Sequence, residues 1–327
     1  MTSTGQQPVR LVTYGQKGSE GMSVGVLFDD ELIVDIPTLS RAHGVDMPDN
    51  MVDLLKRDDA VPFLRRAIGD RGSIPDEAVQ PRARCRLMAP VPVPGSIRDV
   101  PVFMAHVQAG MAAIGMKPSA AIGTIPAYYK GNPRTVIGTD DEVVTPSYAD
   151  TVDFEMEIGL YIKRQGKNIP INDAATYIGG YTIFNDASAR VRQGEEMAIG
   201  IGPAKGKDFD TGNVMGPCLV PDLDLDAVRY AVRVNGEEWT SGNLGELHWS
   251  VEEVISYIST SETLYPGDFI GLGTVPGGCG LELGRYPQLG DIVELEADPI
   301  GILRCAYARQ RDPGVAGGTA VHEGARR

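Results

Sequence analysis

Four acids lie in one stretch of the chain, and three of them could do chemistry together. Asp153, Glu155 and Glu157 alternate in TVDFEMEIGLYI, and Asp186 closes the later run YTIFND. Their alternation with Phe154, Met156, Ile158, Leu160 and Ile162 has the period of a β-strand. Successive side chains on a strand point to opposite faces, so Glu155 and Glu157 share one. Like charges along one strand face repel unless something positive lies between them. A hard divalent cation is the simplest partner, since Mg²⁺ and Ca²⁺ take oxygen ligands. An isolated E-x-E more often marks a solvated strand face. The residues that follow make the metal reading stronger. Pro170 and Asn172–Asp173 predict a short helix that ends at Gly179–Gly180, and YTIFND predicts a second strand. A strand–helix–strand unit could return Asp186 beside the glutamates. Three carboxylates from two neighbouring strands make most of a hard-metal site.

The run DFEMEIGL, followed by NDASAR, resembles the fumarylacetoacetate hydrolase (fumarylacetoacetase) superfamily. Further matching motifs occur in order from about Asp99 to the mid-290s. The resemblance implies metal ligands at Asp99, Glu155, Glu157 and Asp186. It implies a catalytic histidine at His106, which stands at the family's spacing from Asp99. Tyr129, in AYYKGNP, matches a substrate-contacting tyrosine, and Gln193 a glutamine near the substrate. Lys207, in GKDFDTGN, matches a lysine near metal and substrate. Thr274, in LGTVPGG, supplies the hydroxyl of a substrate-binding loop. Glu282, in GLELG, matches the glutamate that orients the histidine. Two features of fumarylacetoacetase itself are missing. The position of its substrate-gripping arginine falls on Gly115, and that of a later tyrosine falls near Met197. This implies a more apolar site and a less anionic or bulkier substrate.

The surrounding chain must position these residues. At 327 residues it can bury a sizeable core, and 42% apolar with 23% charged residues is ordinary for a globular protein. The net charge of −14 argues against nucleic acid or an anionic membrane as partner. No apolar run approaches the ~20 residues that span a bilayer. The start, MTSTGQQPVR, lacks a signal peptide's hydrophobic segment, so a cytoplasmic protein is expected. Cys85, Cys218, Cys279 and Cys305 form no C-x-x-C and are expected to be reduced thiols with no shared task. His43 and His322 are expected in exposed segments, and His248 is expected to be structural.

RLVTYGQ, MSVGVLF and CRLMA read as strands, and MVDLLKRDDAVPFLRRAIGD as helical, with Pro62 a break or a start. VRVNGEEW carries an Asn-Gly hairpin signal, and VEEVISYIS is a helix. The domains expected are a small N-terminal α/β unit over 1–80, a boundary over 81–97, a catalytic domain over 98–310 and a disordered tail over 311–327. The fold class implied by the resemblance is α+β and β-rich, a mixed β-roll with helices outside, in a homodimer.

The function so implied is a metal-dependent hydrolase, with Mg²⁺ first and Ca²⁺ or Mn²⁺ as alternatives. It would cleave a carbon–carbon bond in a 1,3-diketone or acylpyruvate-type small molecule. Three alternatives remain. One is a decarboxylase, isomerase or hydratase acting on a 2-oxo acid. Another is a non-catalytic metal-dependent binding protein. The last is a structural metal site built from the same carboxylates.

Overall fold

The computed structural model describes residues 8–310 except 70, 116 and 120. The tail 311–327, with His322, lies outside the described residues. Strands β1 (Leu11–Gln16), β2 (Ser23–Asp29) and β3 (Leu32–Asp35) form an antiparallel meander. Helix α1 (Ile36–Ala42) follows, capped by the Asp35 side chain on the Thr38 amide. The expected helical stretch divides into α2 (Met51–Leu55) and α3 (Ala60–Ile68), and Pro62 sits in the first turn of α3, where its missing N–H costs nothing. Strands β4 (Val79–Pro81) and β5 (Cys85–Leu87) complete this part.

Next come β6 (Ile97–Asp99), α4 (Met104–Ala113), β7 (Tyr129–Gly131), β8 (Val136–Ile137) and β9 (Glu142–Thr145). The predicted metal strand is β10 (Glu155–Ile162). After β11 (Gly166–Lys167) and α5 (Ile171–Ala174), strand β12 runs Ile178–Asp186. It therefore absorbs Gly179 and Gly180 rather than starting after them. Gly180 is held at φ 148° with Leu219 packed where a Cβ would stand, so the pair bends a strand instead of ending a helix. Helix α6 (Arg190–Ile199) and β13 (Asn213–Val220) follow. Strands β14 (Arg229–Val234) and β15 (Glu237–Asn243) make the expected hairpin. Its turn residues Asn235 and Gly236 both have positive φ, at 52° and 79°. Helix α7 (Val251–Ile258) opens with a capping box between Ser250 and Glu253. Then come β16 (Thr263–Leu264), β17 (Phe269–Cys279), α8 (Gly280–Leu283), β18 (Ile292–Asp298) and β19 (Gly301–Arg309).

The architecture is α+β and rich in strands. One 12-stranded sheet has the path β4-β3-β2-β1-β13-β12-β10-β17-β6-β7, and a five-stranded sheet runs β15-β14-β18-β19-β9. Strand β10 is central and buried on both faces, so its run of apolar residues is nearly continuous. Met156, Ile158 and Leu160 join a core with Val232, Leu295 and Leu303 of the second sheet and Val254 and Ile258 of α7. On the glutamate side the strand continues through Gly159 to Tyr161. The Phe269 ring lies where a Cβ of Gly159 would be. Tyr161, Phe269 and Phe184 pack together there, at ring separations of 5.0 and 5.2 Å. The same cluster includes Leu54 of α2 and Leu64 of α3, so the N-terminal helices close this face.

Candidate active site

Five adjacent strands deliver the chemistry to one place. Strand β12 pairs with β10 through Met156↔Asn185 and Glu157↔Phe184, which brings Asp186 to the end where Glu155 stands. Strand β17 places Thr274 opposite Glu157, and β6 runs parallel to β17 with Asp99 opposite Gly271. Strand β7 then sets Tyr129 opposite Asp99. The acids are not on a solvated face: Glu155 is 5% exposed, Glu157 0%, Asp186 1% and Asp99 6%.

Asp99, Glu157 and Asp186 each offer a carboxylate oxygen within 4.8 Å of the others. Thr274 Oγ1 donates to Glu157 at 3.1 Å, and the Gly273 amide donates to Asp99 at 3.1 Å. Tyr129 donates its hydroxyl to Asp186 at 2.5 Å. Glu157 Oε2 and Asp186 Oδ1 are buried and have no hydrogen-bond partner. Unpartnered carboxylate oxygens are costly to bury, and an all-oxygen donor set suits a hard cation. The residues present therefore fit a divalent ion of that class.

The electrostatics agree. Burial pushes the Glu157 carboxyl well above its usual range, and the Asp99 and Asp186 charges push it further. Burial also raises Asp99. It lifts Asp186 to about 7 against the pull of Lys207. Glu155 behaves oppositely. Burial would raise it, but Lys207 and Arg190 outweigh burial and hold it well below the carboxylate range. Lys207 Nζ donates to Glu155 Oε2 at 2.6 Å and also to Asp186 Oδ2, and it lies 5.8 Å from the Tyr129 ring centroid. Arg190 donates to the other Glu155 oxygen at 2.6 Å. The structure thus places Glu155 among cations at the flank of the three-carboxylate group.

Beside this group, His106 Nδ1 meets Glu282 Oε1 at 2.5 Å. The helix α4 carries the histidine, and α8 carries the glutamate, whose second oxygen accepts from the Gly277 amide at 2.9 Å. His106 is near enough to help lower Glu155. A carboxylate that accepts from Nδ1–H fixes the ring's orientation and leaves Nε2 as the base. Gln193, on α6, accepts from Arg190 at 3.1 Å and so reaches the acids through that guanidinium.

Two residues matter that the sequence reading left without a role. Asp153 is fully buried and takes Arg190 Nε at 2.7 Å and the Gly280 and Leu281 amides at 2.8 and 3.0 Å. It ties the start of α8, and hence Glu282, to the segment that leads into β10. Its signal was its place in the alternating acids. Cys279 is the other: its Sγ lies 3.6 Å from Glu282 Oε1. The signal was its position three residues before Glu282, at the start of a helical turn. His248, expected to be structural, lies exposed with Nε2 2.8 Å from the Gly123 carbonyl oxygen.

The family model described as fumarylacetoacetate (FAA) hydrolase C-terminal matches residues 100–307. An oxaloacetate tautomerase, mitochondrial, from Homo sapiens is 30% identical over 273 residues, covering 80% of this chain and 81% of its own. Its Rattus norvegicus counterpart is 29% identical over 83% of this chain and 82% of its own. A 5-carboxymethyl-2-hydroxymuconate delta-isomerase from Mycobacterium smegmatis superposes with TM-score 0.67 at 25% identity, over 92% of this chain and 100% of its own. A maleylpyruvate hydrolase from Sphingobium sp. SYK-6, solved with manganese(II) and pyruvate, gives TM-score 0.67 at 25% identity, over 92% and 99%. These similar proteins are enzymes of hydrolase, isomerase and tautomerase types. No helix among the described residues is long and apolar enough to cross a membrane.

Proposed function

Because the chain belongs to the fumarylacetoacetate hydrolase family, we propose that it is a metal-dependent hydrolase of a carbon–carbon bond in an acylpyruvate-type substrate or another 1,3-diketone. The observation that carries this reading is the His106–Glu282 bond beside three clustered carboxylates. Asp99, Glu157 and Asp186 would hold a divalent ion, Mg²⁺ or Mn²⁺, with Glu155 at its flank. That ion supplies Lewis-acid polarisation of substrate oxygens.

The chain's own residues do the rest. Glu282 accepts from Nδ1, and His106 Nε2 takes a proton from water. The water oxygen bonds to the substrate carbonyl carbon. The adjacent carbon–carbon bond breaks, and its electron pair becomes an enolate. The Lys207 ammonium stabilises that developing negative charge. His106 then returns the proton to the enolate carbon. Tyr129 and Thr274 orient the carboxylates through their hydroxyls.

The tautomerases that match most of both chains favour a second reading. There the same dyad moves a proton between carbon and oxygen of a 2-oxo acid, and no water is added. One experiment separates the two. Acylpyruvates, acidic and neutral diketones and an oxo-dicarboxylate are followed by enol absorbance, with Mg²⁺ and then with EDTA. EDTA-sensitive loss of enol with two product masses that sum to substrate plus water supports hydrolysis. Loss with unchanged mass supports tautomerisation. A bound, unturned substrate on every member would leave a binding protein.

We infer in addition that the substrate is less anionic or bulkier than fumarylacetoacetate, since Gly115 stands where a carboxylate-gripping arginine would and Met197 near where a substrate-contacting tyrosine would. The same panel tests it, through the ratio of neutral to dianionic turnover. A homodimer is proposed on the exposure of Val191, Ile199 and Ile201 at 77%, 72% and 86%. A second copy covering them would give twice the monomer mass in sedimentation.

A further inference from the structure

Cys279 ends β17 as a fully buried residue. Glu282 Oε1 stands between its Sγ, at 3.6 Å, and His106 Nδ1, at 2.5 Å. A ring nitrogen, the thiol sulfur and a carboxylate oxygen all lie within 4.8 Å of one another. This donor set differs in kind from Asp99, Glu157 and Asp186. Oxygen-only sets suit Mg²⁺ and Mn²⁺, whereas thiolate with imidazole selects softer ions such as Zn²⁺. Bonds of about 2.0–2.3 Å to nitrogen, sulfur and oxygen are what zinc takes. A triangle with sides below 4.8 Å can close on one such ion with small side-chain rotations. The positions are fixed from two directions. The Asp153 carboxylate holds the Gly280 and Leu281 amides, and the Gly277 amide holds Glu282.

We propose that His106, Cys279 and Glu282 form a second, soft-cation site that takes Zn²⁺, and that its occupation shuts off the His106–Glu282 base. On binding, the thiol proton leaves to water and the sulfur becomes a thiolate ligand. The ion takes the Nδ1 lone pair, so the ring's proton sits on Nε2. The nitrogen that must accept the substrate water's proton is then blocked, and Glu282 no longer selects the working tautomer. The shut-off rests on the base role proposed above, but the binding does not.

The test uses the full chain saturated with Mg²⁺ and titrated with Cd²⁺, then with Zn²⁺. Cadmium reports a thiolate bond by its ultraviolet charge-transfer band. The band is expected to saturate at one equivalent, to disappear in Cys279→Ser and Cys279→Ala, and to survive in Cys85→Ser. Zn²⁺ should displace it. Apparent Zn²⁺ affinity should fall at least about tenfold in Cys279→Ser, since even indirect partners of a ligand are worth that much. Zn²⁺ inhibition, taken as the activity ratio with and without Zn²⁺ for each protein, should weaken in step. Circular dichroism melts establish that each variant is folded. No band in the wild type, or a band that survives in both Cys279 variants, overturns the site. A bound ion with undiminished turnover overturns the shut-off. If no substrate turns over at all, the failure lies with the hydrolase reading, and the cadmium band still decides the site.

Discussion

His106 Nδ1 lies 2.5 Å from Glu282 Oε1, although 176 positions separate the two residues in sequence. The bond fixes the ring's orientation, which the proposed base needs in order to present Nε2. His106→Ala should lower kcat by about 10²–10⁴-fold, the range lost with a positioned general base. Glu282→Gln should lose part of that, because the amide can still face the ring. Calorimetric Mg²⁺ affinity should be unchanged in His106→Ala. Retained turnover in that variant would exclude the dyad as the base.

Lys207 sits between Glu155 and Asp186 and is itself 3% exposed. Burial lowers its tendency to stay charged, yet the Asp186 and Glu155 charges outweigh burial and raise it. Removing one partner of such a group leaves buried charge uncompensated. Lys207→Met should therefore destabilise the metal-free protein by about 3–5 kcal/mol. Added Mg²⁺ should recover much of the loss, since an ion supplies positive charge to the same carboxylates. Urea unfolding with and without Mg²⁺ measures both. An equal loss in the two conditions would mean that Lys207 and the ion serve different charges.

Much of this site was legible because strands write themselves with a period of two. The alternation around Glu155 and Glu157 and the run to Asp186 predicted two paired strands, and β10 and β12 are those strands. The Asn235–Gly236 hairpin was legible for the same local reason, since few residue pairs accept two positive φ angles. What was not legible is contact between distant segments. Nothing local says that Asp153 takes the α8 amides, that Lys207 and Arg190 share Glu155, or that Cys279 faces His106. Those contacts follow from the order of strands in the sheet. The Gly179–Gly180 pair misled the helix boundary, because a strand bent around Leu219 needs glycine as much as a helix end does. His106, Lys207 and Glu282 were reached through motif resemblance and not through periodicity.

The carboxylates also set a pH dependence. Asp186 rises from 3.8 to about 7 through burial, and Glu157 rises too. Between those values the folded, metal-free protein keeps a proton that the unfolded chain has released. Folding then binds protons, so the stability of the metal-free protein falls as pH rises from about 4 to about 7. A bound cation reverses the preference, because its ligands must be deprotonated. The drop in Tm on adding EDTA should thus be larger at about pH 7.5 than at about pH 5.5. Mg²⁺ binding should release protons, seen as a buffer-dependent enthalpy. A drop in Tm that is the same at both values would remove these carboxylates from the ion's ligands.

Gly271 tests the geometry of the centre without touching its charges. It stands opposite Asp99 in the β17–β6 register, and an added Cβ would lie 2.4 Å from Asp99 Oδ1 and 3.1 Å from Glu157 Oε2. Both oxygens belong to the carboxylate trio, so the methyl must displace Asp99 Oδ1 and crowd Glu157 Oε2. Overpacking of this kind costs about 1–3 kcal/mol. The larger effect should fall on the ion. Gly271→Ala is expected to weaken Mg²⁺ binding by at least about tenfold, as ligand-orienting contacts do when lost. Gly194→Ala is the control, because that glycine lies on α6 with nothing within 4 Å of a new Cβ. It should leave affinity unchanged and stabilise the helix by a few tenths to about 1 kcal/mol. Equal affinities in the two variants would show that Asp99 and Glu157 can be displaced without consequence, and that they do not hold the ion together.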